Sequence, residues 1–300
     1  MTRLLIRSML ARIGVIPYAD LPGPIAFKRF SQLCKRSGLN QLYVILSFDC
    51  DTDQDAEAAL SLDGPLRKDG IKSTYAVPGE QLTRSAEKYR KIAEAGSRFI
   101  NHGAQPHTQF RDGRNEAITF YNEMKTEEVI DDIEAGHAIV QDVSGQPPRG
   151  FRAPHFGYYQ YPEQLDVIYR TAKKLEYTFC TTTLPRLALN SGPAIAASGL
   201  HEFPLTGSLQ KPNTILDSWN YLDHDGDRSL MDSYGELFLE TVDFFLERKL
   251  PGVLNFYVDP AHVVDAPPFH RAIRHLVDND VPTLHYEDLL NLITTKKAGN

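Results

Sequence analysis

Hydrophobic and polar positions follow two alternating rhythms from residue 41 onward. Short apolar runs typical of buried strands are followed by loops and by longer amphipathic stretches typical of helices. This succession indicates parallel strands joined by crossover helices. The predicted strands cover residues 42–48, 71–77, 98–101, 150–153, 177–182, 201–205, 252–258 and 281–284. The predicted helices cover residues 55–68, 125–143, 164–175 and 230–248, with further helical stretches ending at residue 96 and following residue 284.

About seven such units in roughly 260 residues match the size of a (β/α) barrel, and an open doubly wound sheet is the alternative. No internal repeat, low-complexity tract or linker interrupts this part of the sequence. We therefore predict an α/β protein with one barrel domain over residues 41–300. An N-terminal helical extension over residues 1–40 precedes it.

The extension has a pattern of its own, in which apolar residues recur at helical spacing and arginines lie elsewhere on the helical wheel. The apolar set is Leu5, Ile6, Met9, Leu10, Ile13 and Ile16, and the basic set is Arg3, Arg7 and Arg12. One interpretation is a helix packed on the main domain. The other is a basic amphipathic helix within residues 1–16 that makes a peripheral contact with an anionic membrane.

Composition narrows the class of protein. The chain has 42% hydrophobic residues and a formal net charge of −7, which is typical of a globular protein and argues against a nucleic-acid partner. Cys34, Cys50 and Cys180 show no CxxC spacing, so a cysteine-based zinc site is excluded and a reducing compartment is favoured. The sequence shows neither a transmembrane-length apolar run nor a signal-peptide pattern. We therefore expect a cytoplasmic protein.

Candidate chemistry lies where the predicted strands end, because the catalytic groups of parallel barrels sit at that edge. The first strand runs into Asp49 and Asp51, alternate carboxylates that would share one side of an extended chain. A calcium loop also begins with alternate aspartates, but its required glycine and glutamate positions hold other residues here. Asp53 and Asp55 are interpreted as solvated or helix-capping aspartates.

The third strand ends at His102, and His107 follows five residues later. Two histidines beside an aspartate of a neighbouring strand form a His-His-Asp set, which leaves coordination positions open as a hydrolytic metal site requires. The next strand leads into Arg152, a side chain suited to pairing with a carboxylate. Pro154 stiffens the following turn, and we expect the backbone N–H of His155 to face a developing oxyanion.

Together these strand ends resemble the motifs of the polysaccharide deacetylase family, the metal-dependent carbohydrate N-deacetylases of the carbohydrate esterase type. Residues 47–51 resemble the first motif, and residues 70–79 resemble the second strand of the family. The histidine motif and its approach are similar to residues 95–103, and the third motif is similar to residues 150–154. The resemblance extends over about residues 41–290. It implies a distorted (β/α)7 TIM-like barrel.

The resemblance also implies roles for these residues. Asp49 would be the general base, oriented by Arg152, and the backbone near His155 would form an oxyanion hole. The implied metal ligands are Asp51, His102 and His107. The metal would be divalent, with zinc favoured and cobalt, nickel or iron as alternatives.

Three departures from the family pattern stand out. The family histidines are four residues apart, so a loop or bulge must bring His107 back to the metal. Asp259 stands where a late catalytic histidine is expected, and His262 is the nearest substitute as general acid. Residues 217–219 match the family's groove-lining motif only in part. Trp219 would either stack on a sugar face or pack in the hydrophobic core.

The resulting prediction is a metal-dependent hydrolase that removes an N-acetyl or similar N-acyl group from an amino-sugar-containing saccharide. Its predicted context is the biosynthesis of a surface polysaccharide, since no export signal is evident in the sequence. Two alternatives stay open. One is a non-catalytic or altered-function relative that binds a saccharide or a metal, and the other is a metal-dependent amidase acting on small non-sugar amides.

Overall fold

The computed structural model describes residues 3–12, 14–111 and 114–295. Its helices are α1 (Arg3–Arg12), α2 (Gly23–Arg36), α3 (Asp53–Lys68), α4 (Gly79–Arg84), α5 (Ala86–Glu94), α6 (Thr126–Ser144), α7 (Pro162–Lys174), α8 (Pro185–Ser191), α9 (Asp232–Glu247), α10 (Pro260–Val263), α11 (Pro267–Asp278) and α12 (Tyr286–Thr295). Its strands are β1 (Leu42–Asp49), β2 (Ser73–Val77), β3 (Arg98–Asn101), β4 (Thr108–Arg111), β5 (Arg114–Ala117), β6 (Gly150–Phe151), β7 (Phe179–Cys180), β8 (Ile195–Ala197), β9 (Leu200–Glu202) and β10 (Gly252–Val258).

Eight strands form one curled, half-barrel sheet in the order β10-β1-β2-β3-β6-β7-β9-β8. All neighbours are parallel except β8 and β9. Along the parallel strands β1, β2, β3, β6, β7 and β9, each lies beside the one before it, so the crossovers run one way round as in a barrel. A doubly wound sheet would reverse its strand order. The predicted α/β, (β/α)7 TIM-like class is confirmed, and the doubly wound alternative is wrong.

The strand β1 lies at the centre of this arrangement, and all eight of its residues are buried. It pairs with β10 on one side and with β2 on the other, in registers that place Phe48 beside both Val258 and Tyr75. The carboxyl ends of β1 and β10 are therefore level. As a result, Asp49 and Asp259 leave the sheet at the same edge.

A loop segment bridges part of the gap between the last strands and the first. Beyond β9, the backbone N–H of Thr206 donates a hydrogen bond of 3.0 Å to the carbonyl oxygen of Asn255 in β10. The neighbouring Leu205 donates to Thr183 at 3.0 Å, on the loop after β7. The chain thus joins both sides of the opening and closes the interior around buried polar side chains.

Some predicted elements differ from the observed ones. Residues 281–284 do not form a strand but make a single bridge between Thr283 and Val44. β10 pairs along one side of β1, and β2 pairs on the other side only from Leu46 onward, so residues 281–284 meet β1 before that second pairing begins. The helical stretch ending at residue 96 is two helices, because the backbone departs from helical geometry at Ser85. The small β4–β5 hairpin was not predicted.

The N-terminal pattern gives α1, which ends at Arg12, and a second helix, α2, that was not predicted. Phe27 and Phe30 of α2 are fully buried against β10 and α8, so α2 belongs to the core. In α1, Ile6 and Met9 are 47% and 54% exposed, whereas Leu10 is half-buried and Ala11 is buried, and both interpretations of this helix stay predictions. The side chains of Arg3, Leu5, Arg12 and Ile13 lie outside the described residues.

The boundary at residue 40 remains a prediction. Over the part of the chain that the structure describes, no helix combines the length and the apolar character needed to cross a membrane.

Candidate active site

Asp49 ends β1 and forms a buried ion pair with Arg152, which follows β6. The guanidinium of Arg152 is fully buried, and its Nη1 donates to Oδ1 of Asp49. Its Nη2 donates to Ser47 Oγ at 2.8 Å and to the hydroxyl of Tyr286 at 2.7 Å. Four side chains thus fix one another, so that the carboxylate of Asp49 has a defined orientation at the strand end.

Burial raises the pKa of Asp49 to about 6, although Arg152 favours the ionised form. The nearby carboxylate of Asp51 acts in the same direction as burial. A carboxylate with a pKa in this range is able to accept a proton and release it again near neutral pH. Asp49 therefore has the electrostatic character of a general base.

Asp51, His102 and His107 come together beside Asp49. Each of the three offers one ligand atom, and these atoms lie within 4.8 Å of one another. Asp51 Oδ1 is 3.3 Å from His107 Nδ1, and the two imidazole rings are 4.3 Å apart between centroids. The structure therefore brings together the predicted ligands despite the five-residue spacing of the histidines.

His102 is oriented by the backbone of the neighbouring strand. Its Nδ1 lies 2.8 Å from the carbonyl oxygen of Arg152, which accepts only, so Nδ1 carries the hydrogen. Burial, with the neighbouring His107, holds the pKa of His102 well below its usual range, and the ring is neutral. Its Nε2 is left with a free lone pair at 3.8 Å from Asp49 Oδ2. This is the usual arrangement of a metal-ligating histidine and its orienting partner.

The segment between the two histidines is an ordered turn, not a helix. Gly103 has a φ of +80°, and a Cβ atom there would lie 2.3 Å from Oδ2 of Asp132. Asp132, on α6, accepts hydrogen bonds from the backbone N–H groups of Ala104 and Gln105 through Oδ1. Its Oδ2 accepts one from the hydroxyl of Tyr121 at 2.6 Å. Asp132 thereby sets the turn that returns His107 to the site.

The donor set fits a divalent cation. Asp51 Oδ1 and His107 Nε2 are buried and have no hydrogen-bond partner among the described residues. Unpaired buried polar atoms cost free energy, and a cation between them would remove that cost. Burial opposes ionisation of Asp51, but His107 and His102 outweigh it and lower its pKa to about 2, so it carries a charge at neutral pH. Two imidazoles and one carboxylate suit zinc and its neighbours in the first transition series.

The turn after β6 carries Pro154, which is buried, and His155. His155 has a φ of +52°, a left-handed conformation that is uncommon outside glycine and costs free energy. Its side chain holds this conformation, since Nε2 lies 2.6 Å from the carbonyl oxygen of Ile118 and the ring stacks on Phe120 at 4.4 Å. His107 lies 5.7 Å away between ring centroids. The predicted role of the His155 N–H stays a prediction.

His262 and Trp219 face the site from the opposite side. His262 Nδ1 lies 3.1 Å from Ser218 Oγ and 3.6 Å from Asp259 Oδ2. The Trp219 ring meets the imidazole edge-on at 4.9 Å. Burial lowers the pKa of His262 to about 4, and Arg228 contributes to this shift. Asp259 is buried, and burial together with neighbouring carboxylates holds its pKa well above its usual range.

A cleft of about 800 Å³ joins these groups. Asp51 lies on its wall together with His262 and Trp219. The β4–β5 hairpin, including the exposed Phe110, forms one rim, and Arg228 lies on another. The cleft is open and large enough for one or two sugar units, so a substrate would reach the carboxylate and imidazole groups from this side.

Several residues of the site could not be identified from the sequence. Tyr286 and Asn255 reach the interior from elements that carry no recognised motif, and Tyr286 donates to Asn255 Oδ1 at 2.8 Å. Asp132 sits on the inward face of α6, where a lone aspartate in an apolar stripe was the available signal. Asp55 does cap α3 with Thr52, as predicted, but it is buried, and its Oδ1 also accepts from the N–H of Ala261.

Comparison with known proteins agrees with this geometry. A family model described as polysaccharide deacetylase matches residues 37–180. No curated protein matches the sequence. A "putative polysaccharide deacetylase" from Mycobacterium smegmatis is similar in structure at a TM-score of 0.62, with 17% identity and coverage of 87% of this chain and 92% of that one.

Two further solved structures share the fold. The peptidoglycan deacetylase PdaC from Bacillus subtilis has a TM-score of 0.52 at 16% identity, with 87% of this chain and 95% of that chain covered. BA3943 from Bacillus anthracis, a CE4 family pseudoenzyme, has a TM-score of 0.50 at 12% identity, with 84% and 66% covered. At such identities these likenesses concern the fold. Residues 37–180, which carry the strand-end motifs in register, match the polysaccharide deacetylase family.

Proposed function

We propose that this chain hydrolyses the N-acetyl, or a similar N-acyl, group of an amino sugar within a saccharide. The observation that carries the proposal is the convergence of Asp51, His102 and His107 next to the Asp49–Arg152 pair. Asp51 lines the cleft, and the other two ligand candidates and the oriented base lie next to it. A hydrolase of this family needs those groups together.

Asp51, His102 and His107 would hold a divalent metal, with zinc favoured by the donor set. When bound, such an ion polarises an acyl carbonyl and lowers the pKa of a water molecule toward about 7. Asp49 then accepts the proton of the attacking water. Arg152 keeps the carboxylate of Asp49 turned toward the site, and its buried charge keeps that carboxylate available as a base.

The leaving amine needs a proton, and His262 is the proposed source, a role that requires bound substrate to raise its pKa from about 4. It lines the same cleft, and Asp259 and Ser218 both lie near its Nδ1. The backbone N–H of His155, after Pro154, is the proposed donor to the oxyanion that forms as the carbonyl carbon is attacked. Trp219 would contact the sugar ring from the rim of the cleft.

The proposal is tested by metal content and amine release from N-acetylglucosamine oligomers, measured on the purified chain. Asp49→Asn is expected to keep the metal and to lower amine release by about 100-fold or more, because the general base is lost. Asp51→Ala and His102→Ala are expected to lose the metal. His270→Ala is the control, since this exposed histidine on α11 lies outside the cleft. Unchanged metal content in both ligand variants would show that the assigned site is wrong.

A non-catalytic relative is the second candidate. The observation that favours it is Asp259, which occupies the place of the expected histidine and carries a strongly raised pKa from burial. Full metal occupancy without turnover of any N-acetylated glycan would support this second function. A panel that adds short linear and cyclic amides separates a saccharide deacetylase from an amidase of small molecules.

The proposed context is a cytoplasmic step in building a surface polysaccharide. The three cysteines support it, since all are buried and unpaired in the structure. Exposed Ile6 and Met9 on α1 would provide a peripheral membrane contact. Equal solubility in lysed cells of the full chain and of a form lacking residues 1–20 would contradict that contact.

A further inference from the structure

Three arginines line the cleft, and one of them differs from the other two. Arg84 forms an ion pair with Asp53 at 2.8 Å, and Arg114 forms one with Glu116 at 3.0 Å. Among the residues that the structure describes, no carboxylate lies within ion-pair distance of Arg228. Arg228 is therefore the cleft arginine that no carboxylate pairs directly, although Asp223, Asp225 and Asp227 belong to the same loop.

Arg228 is held close to the reacting groups. Its guanidinium lies over the ring of Trp219 at 5.5 Å, a cation–π contact that fixes the side chain without neutralising its charge. The other side of this contact is the candidate acid, because the Trp219 ring meets His262 at 4.9 Å. Trp219 thus contacts both Arg228, where an anion would bind, and His262, the proposed proton donor.

The loop that carries Arg228 is fixed at both ends. Leu222 and Leu230 form an antiparallel bridge, and the N–H of Asp223 donates to Ser229 at 2.9 Å. The N–H of Arg228 donates to the carbonyl oxygen of Asp223 at 3.0 Å, in a left-handed conformation with a φ of +62°. A side chain placed by such a turn loses little freedom on binding, which favours recognition.

The charges of the cleft are unequally distributed. Its acidic lining residues are Asp51, Asp53, Asp55, Glu80 and Asp259. A negatively charged group on a ligand would be repelled from these residues and attracted to Arg228. A neutral N-acyl sugar would accept hydrogen bonds from Arg228 but would offer it no opposite charge.

We propose that Arg228, supported by Trp219, binds an anionic substituent, a carboxylate or a phosphate, on the N-acylated amino sugar that enters the cleft. Arg228 then acts as a specificity residue, which selects a charged saccharide and orients it with its acyl group toward Asp51. This inference rests on the proposed function, and it names the substrate class of the same site.

The test compares a neutral sugar, N-acetylglucosamine, with two anionic ones, N-acetylmuramic acid and N-acetylglucosamine 6-phosphate. KM for amine release is measured on the zinc-loaded full chain, and Kd is measured by calorimetry on its Asp49→Asn form. We expect at least one anionic sugar to have a KM and a Kd about tenfold lower than the neutral sugar, as one charge-assisted hydrogen-bond pair provides. Arg228→Gln is expected to abolish this difference, and Arg228→Lys to retain part of it.

Arg271→Gln is the matched control, since it removes an exposed arginine that pairs with Asp232 outside the cleft. It is expected to leave the preference unchanged. No anionic preference, or a preference that survives Arg228→Gln, overturns the inference even if the neutral sugar is turned over. Conversely, Arg228-dependent binding of an anionic sugar without any turnover supports the inference and counts against the proposed hydrolysis. The two anionic probes tell a carboxylate from a phosphate.

Discussion

At the scale of single residues, the candidate site depends on a buried guanidinium whose two terminal nitrogens donate hydrogen bonds, while its Nε has no partner among the described residues. Arg152 donates to Asp49, Ser47 and Tyr286, and Tyr286 in turn donates to Asn255. A buried ion pair is costly unless its remaining donors and acceptors are satisfied. The hydroxyl of Tyr286 meets part of that need, and it does so from a helix near the C-terminus that no catalytic motif includes.

Tyr286→Phe should therefore impair the reaction without touching the cleft. Arg152 loses one acceptor and Asn255 loses one donor, so the free energy of unfolding should fall by about 1–3 kcal/mol. As a positioning residue, Tyr286 should affect kcat more than KM, and a tenfold fall in kcat with unchanged metal content is the expected outcome. Stopped-time amine assays and urea denaturation measure the two effects.

The matched control is Tyr234→Phe, because the hydroxyl of Tyr234 is buried without a hydrogen-bond partner among the described residues. Its removal should leave both stability and kcat near the values of the unchanged chain. Identical behaviour of the two variants would contradict the positioning role of Tyr286.

The strand-end residues could be predicted from the sequence because each is a charged residue directly after an apolar strand. An unpaired charge at such a position is costly, so a partner or a function is expected. Asp49 and Asp51 after β1 and Arg152 after β6 are of this kind, and the structure brings them together. Tyr286 and Asp132 could not be found in this way. They come from helices, where one inward polar residue looks like any other until the tertiary contacts are known.

At the scale of elements, the connection from β3 to β4 determines whether two histidines five residues apart share a site. A helix would direct them roughly 100° further apart than a four-residue spacing does. Here a turn with a left-handed glycine replaces the helix, and Asp132 of α6 binds its backbone. The sequence shows the spacing and the glycine but not the partner helix that stabilises the turn.

Gly103→Ala tests this connection. A methyl group there would lie 2.3 Å from Asp132 Oδ2 and 2.9 Å from the Tyr121 hydroxyl, and the φ of +80° is itself unfavourable for alanine. We expect the turn to shift and His107 to leave its position, so that zinc affinity falls at least about tenfold. Zinc titration with a chromogenic chelator measures the affinity, and thermal unfolding measures the loss of stability.

Gly145→Ala provides the comparison, since Gly145 has a φ of +73° but no atom within 4 Å of the added methyl group. It should lose about 1 kcal/mol of stability from backbone strain alone and keep its zinc affinity. Equal zinc affinity in both variants would show that the turn does not position His107.

The elements themselves were predictable where one physical signal dominates. The strands β3 and β10 were predicted with their observed bounds, as expected for short apolar runs between polar turns. Residues 281–284 have a similar composition but meet β1 only before its pairing with β2 begins, and they make a single bridge there. The β4–β5 hairpin is exposed and lacks apolar alternation, and the dipeptide Asp112-Gly113 in the sequence was the one signal for it.

At the scale of the whole molecule, the barrel collects buried carboxylates at one end. Asp49, Asp55, Asp217 and Asp259 all have raised pKa values, and burial is the largest cause in each. Each such group binds a proton more tightly in the folded state than in the unfolded state. The free energy of unfolding should therefore fall as the pH rises. The groups responsible lie at the end of the barrel where the proposed chemistry takes place.

Asp217 allows this effect to be measured away from the proposed metal ligands. Burial raises its pKa to about 7, against hydrogen bonds from Asn220 and Tyr257 that lower it. The folded pKa lies above the unfolded value near 3.8, so the carboxyl group lowers the free energy of unfolding very little at about pH 4. It lowers it most above pH 7. Asp217→Asn removes this dependence. The free energy of unfolding of the variant minus that of the unchanged chain should therefore rise between pH 4 and 7, by at most about 1.4 kcal/mol per pH unit, and stay level above it.

Asp288→Asn should show the opposite sign. Burial is the largest single effect and would raise the pKa of Asp288, but the hydrogen bonds from Lys72 and from the backbone N–H of His285, with the charge of Lys72, together lower it. Asp288 therefore stabilises the fold above its unfolded pKa and loses that contribution as the pH falls. Because this pair is partly exposed, its effect should be small and should weaken in salt. Urea denaturation at intervals from about pH 2 to 8 measures all three proteins, because the Asp288 effect appears only near and below its unfolded pKa of 3.8. The sign of the slope, not its offset, is decisive. If the difference in free energy of unfolding between Asp217→Asn and the unchanged chain does not vary with pH, water reaches the Asp217 carboxylate. The pH-dependent loss of stability would then come from the buried carboxylates around Asp49.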